Sequence, residues 1–191
     1  MEHSIFAMEV CARLDRAPTL VQSLRAKIQA HPKLVGLHEK WEFYRACTGD
    51  LLASINEVER GCWDFFDEDQ RAQRDYKMWC DGMITEEGAR VEPSEVADPY
   101  RQTEARYLTF TMAFLLVQGS ETERAMAELC AIPEALLWKR DTFIRILSGL
   151  GVLSFASVES DVVYLIPRDE GWGLTLQDLQ DPKFSYLREL S

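Results

Sequence analysis

Apolar positions recur at helical spacing over several stretches of the chain. Val21, Leu24 and Ile28 share one face of a helix predicted from Pro18, in its first turn, to about Ala30, where His31-Pro32 ends it. Leu34, Leu37, Trp41, Tyr44, Thr48, Leu51, Ile55 and Val58 follow at 3-4-3-4-3-4-3 spacing. That stripe predicts an amphipathic helix over 34–58, about six turns long. Gly49 weakens it by roughly 1 kcal/mol relative to Ala. The stripe suits core packing, and its length also suits a homodimer seam. Ala72, Tyr76, Trp79 and Met83, spaced 4-3-4, predict a third helix opened by Asp67. Gln70 completes a start resembling a capping box, with Phe66 as hydrophobic staple.

Two stretches are less regular. In residues 4–14, Phe6, Val10 and Leu14 line a helical face, yet Phe6, Met8, Val10, Ala12 and Leu14 alternate as a strand would. Periodicity does not arbitrate a run this short, and helix is the preferred reading. Gly61 to Phe66 is expected to be a break carrying three aromatic residues. Residues 84–97 are polar and unpatterned, which predicts a loop or linker between a helical region, 1–83, and a second region, 98–191.

The second region opens on Asp98-Pro99, an N-cap followed by proline, and Gly119 offers a stop; together they predict a helix over 99–118. Ser120 and Glu123 form a capping box before a short helix bearing Ala125, Met126, Leu129 and Cys130. Ile132-Pro133 starts a further helix with Leu136, Leu137, Phe143, Ile144 and Leu147 inward, ending near Gly149 and Gly151. Val152–Phe155 and Val162–Ile166 then read as two strands joined by the turn Glu159-Ser160-Asp161.

Helix, short helix, longer helix and hairpin, in that order over residues 98–167, resemble a winged helix-turn-helix. The residues carrying the resemblance are Ala127-Glu128-Leu129, Ile132-Pro133-Glu134, Leu136-Leu137, Gly149-Leu150-Gly151-Val152-Leu153 and Val163-Tyr164-Leu165. The expected fold is therefore mainly α: a helical N-terminal half packed on a winged-helix-like C-terminal half with one β-hairpin. A second resemblance competes. Arg106–Phe114, Val162–Gly171 and Leu174–Leu179 look like an uncharacterised domain family of cyanobacteria, plastids and proteobacteria. It implies an α+β fold with residues 106–116 and 162–167 as strands of one sheet, and it brings no catalytic residues with it. Thr109, Thr111 and the aromatics suit a strand, while Asp98-Pro99 and Gly119 favour the helix.

Composition narrows the function classes. With 47% hydrophobic and 28% charged residues in 191, the chain is expected to fold. Its longest apolar run, Met112–Val117, falls far short of the ~20 residues that cross a bilayer. The N-terminus lacks a basic flank, and Glu9 interrupts the first apolar stretch, so no secretory signal is expected and the location is expected to be cytoplasmic. Cys11, Cys47, Cys62, Cys80 and Cys130 are odd in number and form no CxxC pair, which predicts reduced thiols. None of His3, His31 and His38 has a cysteine at ligand spacing, so neither a metal nor a cofactor is expected. Of the net charge of −11, residues 57–95 hold −7, from 12 acidic and 5 basic residues. This field repels nucleic acid and anionic membranes.

Catalytic signatures are absent: there is no Gly-x-Ser-x-Gly and no Gly-rich phosphate loop in a strand–turn–helix setting. The expectation is a non-enzymatic protein-interaction, adaptor or regulatory module. Its candidate contacts are Trp63, Asp64, Phe65, Phe66, Asp67, Glu68, Asp69 and Trp138, aromatic anchors rimmed by acid that would suit a partner with a basic surface. The alternative is a DNA-binding regulator using Lys139, Arg140 and Arg145. Glu134, Asp141, Glu159 and Asp161 oppose it by removing most of the positive charge that phosphate contacts need.

Overall fold

The computed structural model describes residues 2–31, 36–84, 104–168 and 172–191. In it the alternating pattern of the N-terminus prevails over the helical one. Residues His3–Arg13 form β1, and ten of these eleven are buried, so the strand is covered on both faces. Residues Tyr107–Val117 form β3, buried to the same extent and paired antiparallel with β1 along its whole length, from His3 opposite Val117 to Arg13 opposite Tyr107. The helix expected over 99–118 is therefore a strand from Tyr107 onward, and the Asp98-Pro99 start lies outside the described residues. Gly119 does not cap a helix. It takes φ 76° in the turn that leads out of β3, a conformation that favours glycine.

Three more strands complete the sheet. β2 (Val58–Phe66) flanks β1, β4 (Val158–Ile166) flanks β3, and the short β5 (Arg188–Glu189) edges β2. The order is β4-β3-β1-β2-β5, antiparallel throughout. The fold is thus α+β around a five-stranded antiparallel sheet. It corrects the expected mainly helical protein with a winged-helix-like C-terminal half. The expected hairpin does not form: Leu150–Val152 and Phe155–Ser157 are 3-10 turns, and Glu159-Ser160-Asp161 lies within β4 rather than at a turn. The Gly61–Phe66 break is likewise inside β2. Both β2 and β4 pair with distant segments, and nothing local announces such pairing.

Five α-helices occur among the described residues: α1 (Pro18–Ala30), α2 (Leu37–Ala53), α3 (Asp69–Ile84), α4 (Glu121–Cys130) and α5 (Arg140–Gly149). The helix expected over 34–58 stops at Ala53; Ile55–Glu57 make a 3-10 turn and Val58 already begins β2. Leu34 lies outside the described residues. Tyr44, Thr48 and Leu51 do face inward, while Leu37 is 55% exposed. At α4, Ser120 Oγ accepts from the Glu123 N–H at 3.1 Å, as the capping box requires. The helix expected to open at Ile132-Pro133 begins only at Arg140, after a 3-10 turn at Glu134–Leu136. Most of the polar stretch 84–97 lies outside the described residues. Among the described residues no helix is long and apolar enough to cross a membrane.

Alternation along the strands divides the sheet into two faces. One face presents Phe6, Met8 and Val10 of β1 with Phe110, Met112 and Phe114 of β3 to α1, α2, α4 and α5, and this is the main core. Arg140 ties α5 to the sheet's edge by donating to the carbonyls of Ile55 and Val58. Asp161 ties β4 to the first two helices. Its side chain is 2% exposed and accepts from His31 Nε2 (3.3 Å), Tyr44 Oη (2.9 Å) and Lys40 Nζ. The opposite face is covered in two pieces. α3 packs Ala72, Tyr76 and Trp79 over Ile5, Ala7, Ala113 and Val162. The C-terminal segment packs Leu174, Leu179, Phe184 and Leu187 over Cys11, Tyr107 and Ile166. The middle of this face lies between the two covers.

Candidate functional site

Strand register places a polar row across this apolar face. Glu9 of β1 stands opposite Cys62 of β2 on one side and Thr111 of β3 on the other, and Thr111 stands opposite Tyr164 of β4. Glu9 is 1% exposed. Its Oε2 accepts a hydrogen bond from Tyr186 Oη at 2.8 Å. Its Oε1 is closed off from solvent beside the Thr109 and Thr111 hydroxyls, which lean on the carboxylate without reaching full hydrogen-bond geometry. Burial pushes the Glu9 carboxyl up to about 7, outweighing the opposite pull of Tyr186, Thr111 and Thr109. A buried carboxylate without a cationic partner is costly, and such groups are rare in folded proteins.

A cavity of about 400 Å³ opens beside this carboxylate. Ile5, Ala7 and Glu9 contribute from β1, Phe66 from β2, Trp79 from α3, and Tyr164 from β4. Phe184 and Tyr186 close the opposite side, with Trp79 and Tyr186 meeting edge to face at 5.8 Å between ring centres. The exposed lining residues, Asp64 and Met78, mark the mouth, and Met78 is 60% exposed. Burial against the apolar wall raises the Asp64 carboxyl to about 6, outweighing the backbone N–H of Phe65 and the charge of Arg71, which pull it down. Asp75, also on the lining, is neutralised by Arg71 (3.4 Å) and Arg74 (3.2 Å). The Cys62 thiol is pushed up to about 12 by burial, so it is no thiolate nucleophile at neutral pH. All five cysteines are free thiols.

Protein-family models, curated proteins and solved structures give no match to this chain. What the site does therefore rests on its own chemistry.

The residues singled out from the sequence do not gather in one place. Trp63 and Phe65 point into the main core, where Trp63 is buried and its Nε1 donates to the Leu137 carbonyl at 3.1 Å. Asp64 and Phe66, one residue out of phase, face the cavity on the other side of the sheet. Asp67 and Glu68 are exposed, and Asp69 accepts from the backbone N–H (2.8 Å) and Nδ1 (3.0 Å) of His3. Trp138 is half-buried and its carbonyl accepts from Ser191 N–H. Lys139 and Arg145 are exposed, whereas Arg140 is occupied by the carbonyls of Ile55 and Val58.

Sequence reasoning missed Glu9 as a site residue and used it only as an acid in an apolar run. The available signal was positional. On a strand, Glu9 shares a face with Ile5, Ala7 and Cys11, so a lone acid among apolar neighbours must be buried. That signal appears only once residues 4–14 are read as a strand covered on both faces.

Proposed function

We propose that this protein binds a small, largely apolar molecule in the cavity between α3 and the C-terminal segment. One observation carries the reading: an apolar cavity of about 400 Å³ opens on the middle of the sheet, with the buried Glu9 carboxyl in its wall. A leucine or glutamine there would serve the fold better, because neither brings a buried charge. A carboxylate kept at such a cost is suited to meeting something that enters. The volume lies within the roughly 300–1,000 Å³ of small-molecule sites, and an apolar lining with few polar groups is their usual make-up. The lining is drawn from β1, β2, β4, α3 and the C-terminal segment, so ordered elements hold it.

The reading is tested with neutral aliphatic and aromatic compounds of about ten to fifteen heavy atoms, sized for a small-molecule cavity. Binding is followed by thermal stabilisation and by the fluorescence of Trp79, which lines the cavity. Ala7 is buried on the cavity floor, so Ala7→Phe fills the space. The variant should lose both responses. Compounds that stabilise Ala7→Phe as much as the wild type bind elsewhere, and that result would refute the proposal.

A further inference from the structure

Resting on the cavity reading, we infer that the occupant is an organic cation: an ammonium group on an aromatic or aliphatic body, with its nitrogen on the side of the cavity that carries Glu9 and Asp64. Three carboxylates line the cavity, Glu9, Asp64 and Asp75, against one cationic side chain, Lys183. Asp75 is already matched by Arg71 and Arg74. Glu9 and Asp64 are not. Glu9 accepts from Tyr186, with the Thr109 and Thr111 hydroxyls close by, and Asp64 accepts from the backbone N–H of Phe65; among the described residues neither forms an ion pair. Two carboxylates thus face one apolar space without a basic partner in ion-pair range. Lys183 leans instead on the Phe184 ring, 5.8 Å from its centre.

The walls favour the same ligand class. Aromatic faces attract cations through the ring quadrupole, more strongly where water is excluded. At the rim, the Arg71 guanidinium already lies 3.2 Å from the centre of the Phe66 ring. Trp79, Tyr164 and Tyr186 offer rings deeper in, close to the carboxylate. An entering ammonium compensates the charge of the two carboxylates and keeps its apolar body against these rings. An anion would meet two uncompensated carboxylates. A neutral donor would satisfy one lone pair and leave the charge unmatched.

Three probes of similar shape separate these cases at pH 8, where Glu9 is ionised: 4-phenylbutylamine, pentylbenzene and 5-phenylpentanoate, titrated calorimetrically into the full chain. The amine should bind about tenfold or more tighter than pentylbenzene, a difference of about 1.4 kcal/mol, and the carboxylate should bind weakest. Glu9→Gln keeps the shape and removes the charge. It should bring the amine to the level of pentylbenzene while leaving pentylbenzene within about threefold of its wild-type affinity. If pentylbenzene matches the amine, if the carboxylate binds best, or if Glu9→Gln retains the preference, the cation inference is overturned and the cavity reading stands. If no probe binds the folded wild type, both fall together.

Discussion

Replacing Glu9 by Gln separates the charge of this side chain from its shape. The carboxyl has a folded-state pKa of about 7 against an ordinary 4.5. The folded state therefore holds the proton more tightly than the unfolded chain does. Unfolding releases that proton between about pH 4.5 and 7, so stability falls as pH rises through this window. Below the window the carboxyl is neutral in both states and costs nothing as a charge; above it the whole penalty is present. A difference of about 2.5 units at 1.36 kcal/mol each puts the penalty at about 3 kcal/mol, a large share of an ordinary domain's stability. Glutamine titrates nowhere and can still accept from Tyr186. His3 adds its own pH dependence to both proteins. Its pKa is raised chiefly by the hydrogen bond to Glu159, against desolvation, so its contribution is also lost with rising pH. Comparing variant with wild type at each pH cancels it. Urea denaturation of both proteins at pH 5 and pH 8 should show the variant gaining about 2 to 3 kcal/mol on the wild type between the two. A gap that is the same at both pH values, to about half a kcal/mol, would refute the account of Glu9 as a buried, uncompensated carboxyl.

Four further outcomes follow from the packing. Gly61 lets α5 cross β2, because a Cβ there would stand 2.5 Å from the buried Phe143 ring; Gly61→Ala should cost about 1–3 kcal/mol in calorimetry, and an unchanged melt would contradict that crossing. The Asp161 carboxyl is pulled down to about 2 because its hydrogen bonds from His31, Lys40 and Tyr44 together overcome a larger single effect, desolvation. Its stabilisation is present above about pH 4 and lost as pH falls through 2. Asp161→Asn should therefore cost at most about 2 kcal/mol at pH 7, Lys40 being partly open to water, and should flatten acid unfolding. Leu51→Ala, at a fully buried site, should cost about 2–5 kcal/mol, whereas the half-exposed Trp41 should cost clearly less; equal melts would contradict the inward face assigned to α2. A thiol reagent should reach five sulfhydryls after denaturation, with the buried Cys11 and Cys47 protected in the native protein.

Much of the helical structure was legible from the sequence. The stripe Val21, Leu24, Ile28 and the Ala72, Tyr76, Trp79 face pack inward as their spacing predicts, and the Ser120 cap forms. These features are local: a helix satisfies its backbone within itself, so its signals lie three or four residues apart. The strands show the opposite case. β1 and β3 are buried on both faces, so they lose the apolar–polar alternation that marks an exposed-face strand and become apolar runs that a helix could equally explain. Asp98-Pro99 and Gly119 then tipped residues 106–116 towards helix, although Thr109, Thr111 and the aromatics suited a strand. The same distance hid the candidate site. Glu9, Thr111, Tyr164 and Tyr186 are spread over most of the chain, and only the β1–β3–β4 register and the folded-back C-terminal segment bring them together. Trp63 and Phe65 are parted from Asp64 and Phe66 by the pleat of one strand, which sends alternate residues to opposite faces. Sequence by itself thus determined α1, the inward face of α3 and the capped start of α4, the reserve of apolar side chains and the acidity. The tertiary structure alone decided which acid is buried, because burial depends on strands paired across more than a hundred residues, and no local spacing encodes that pairing.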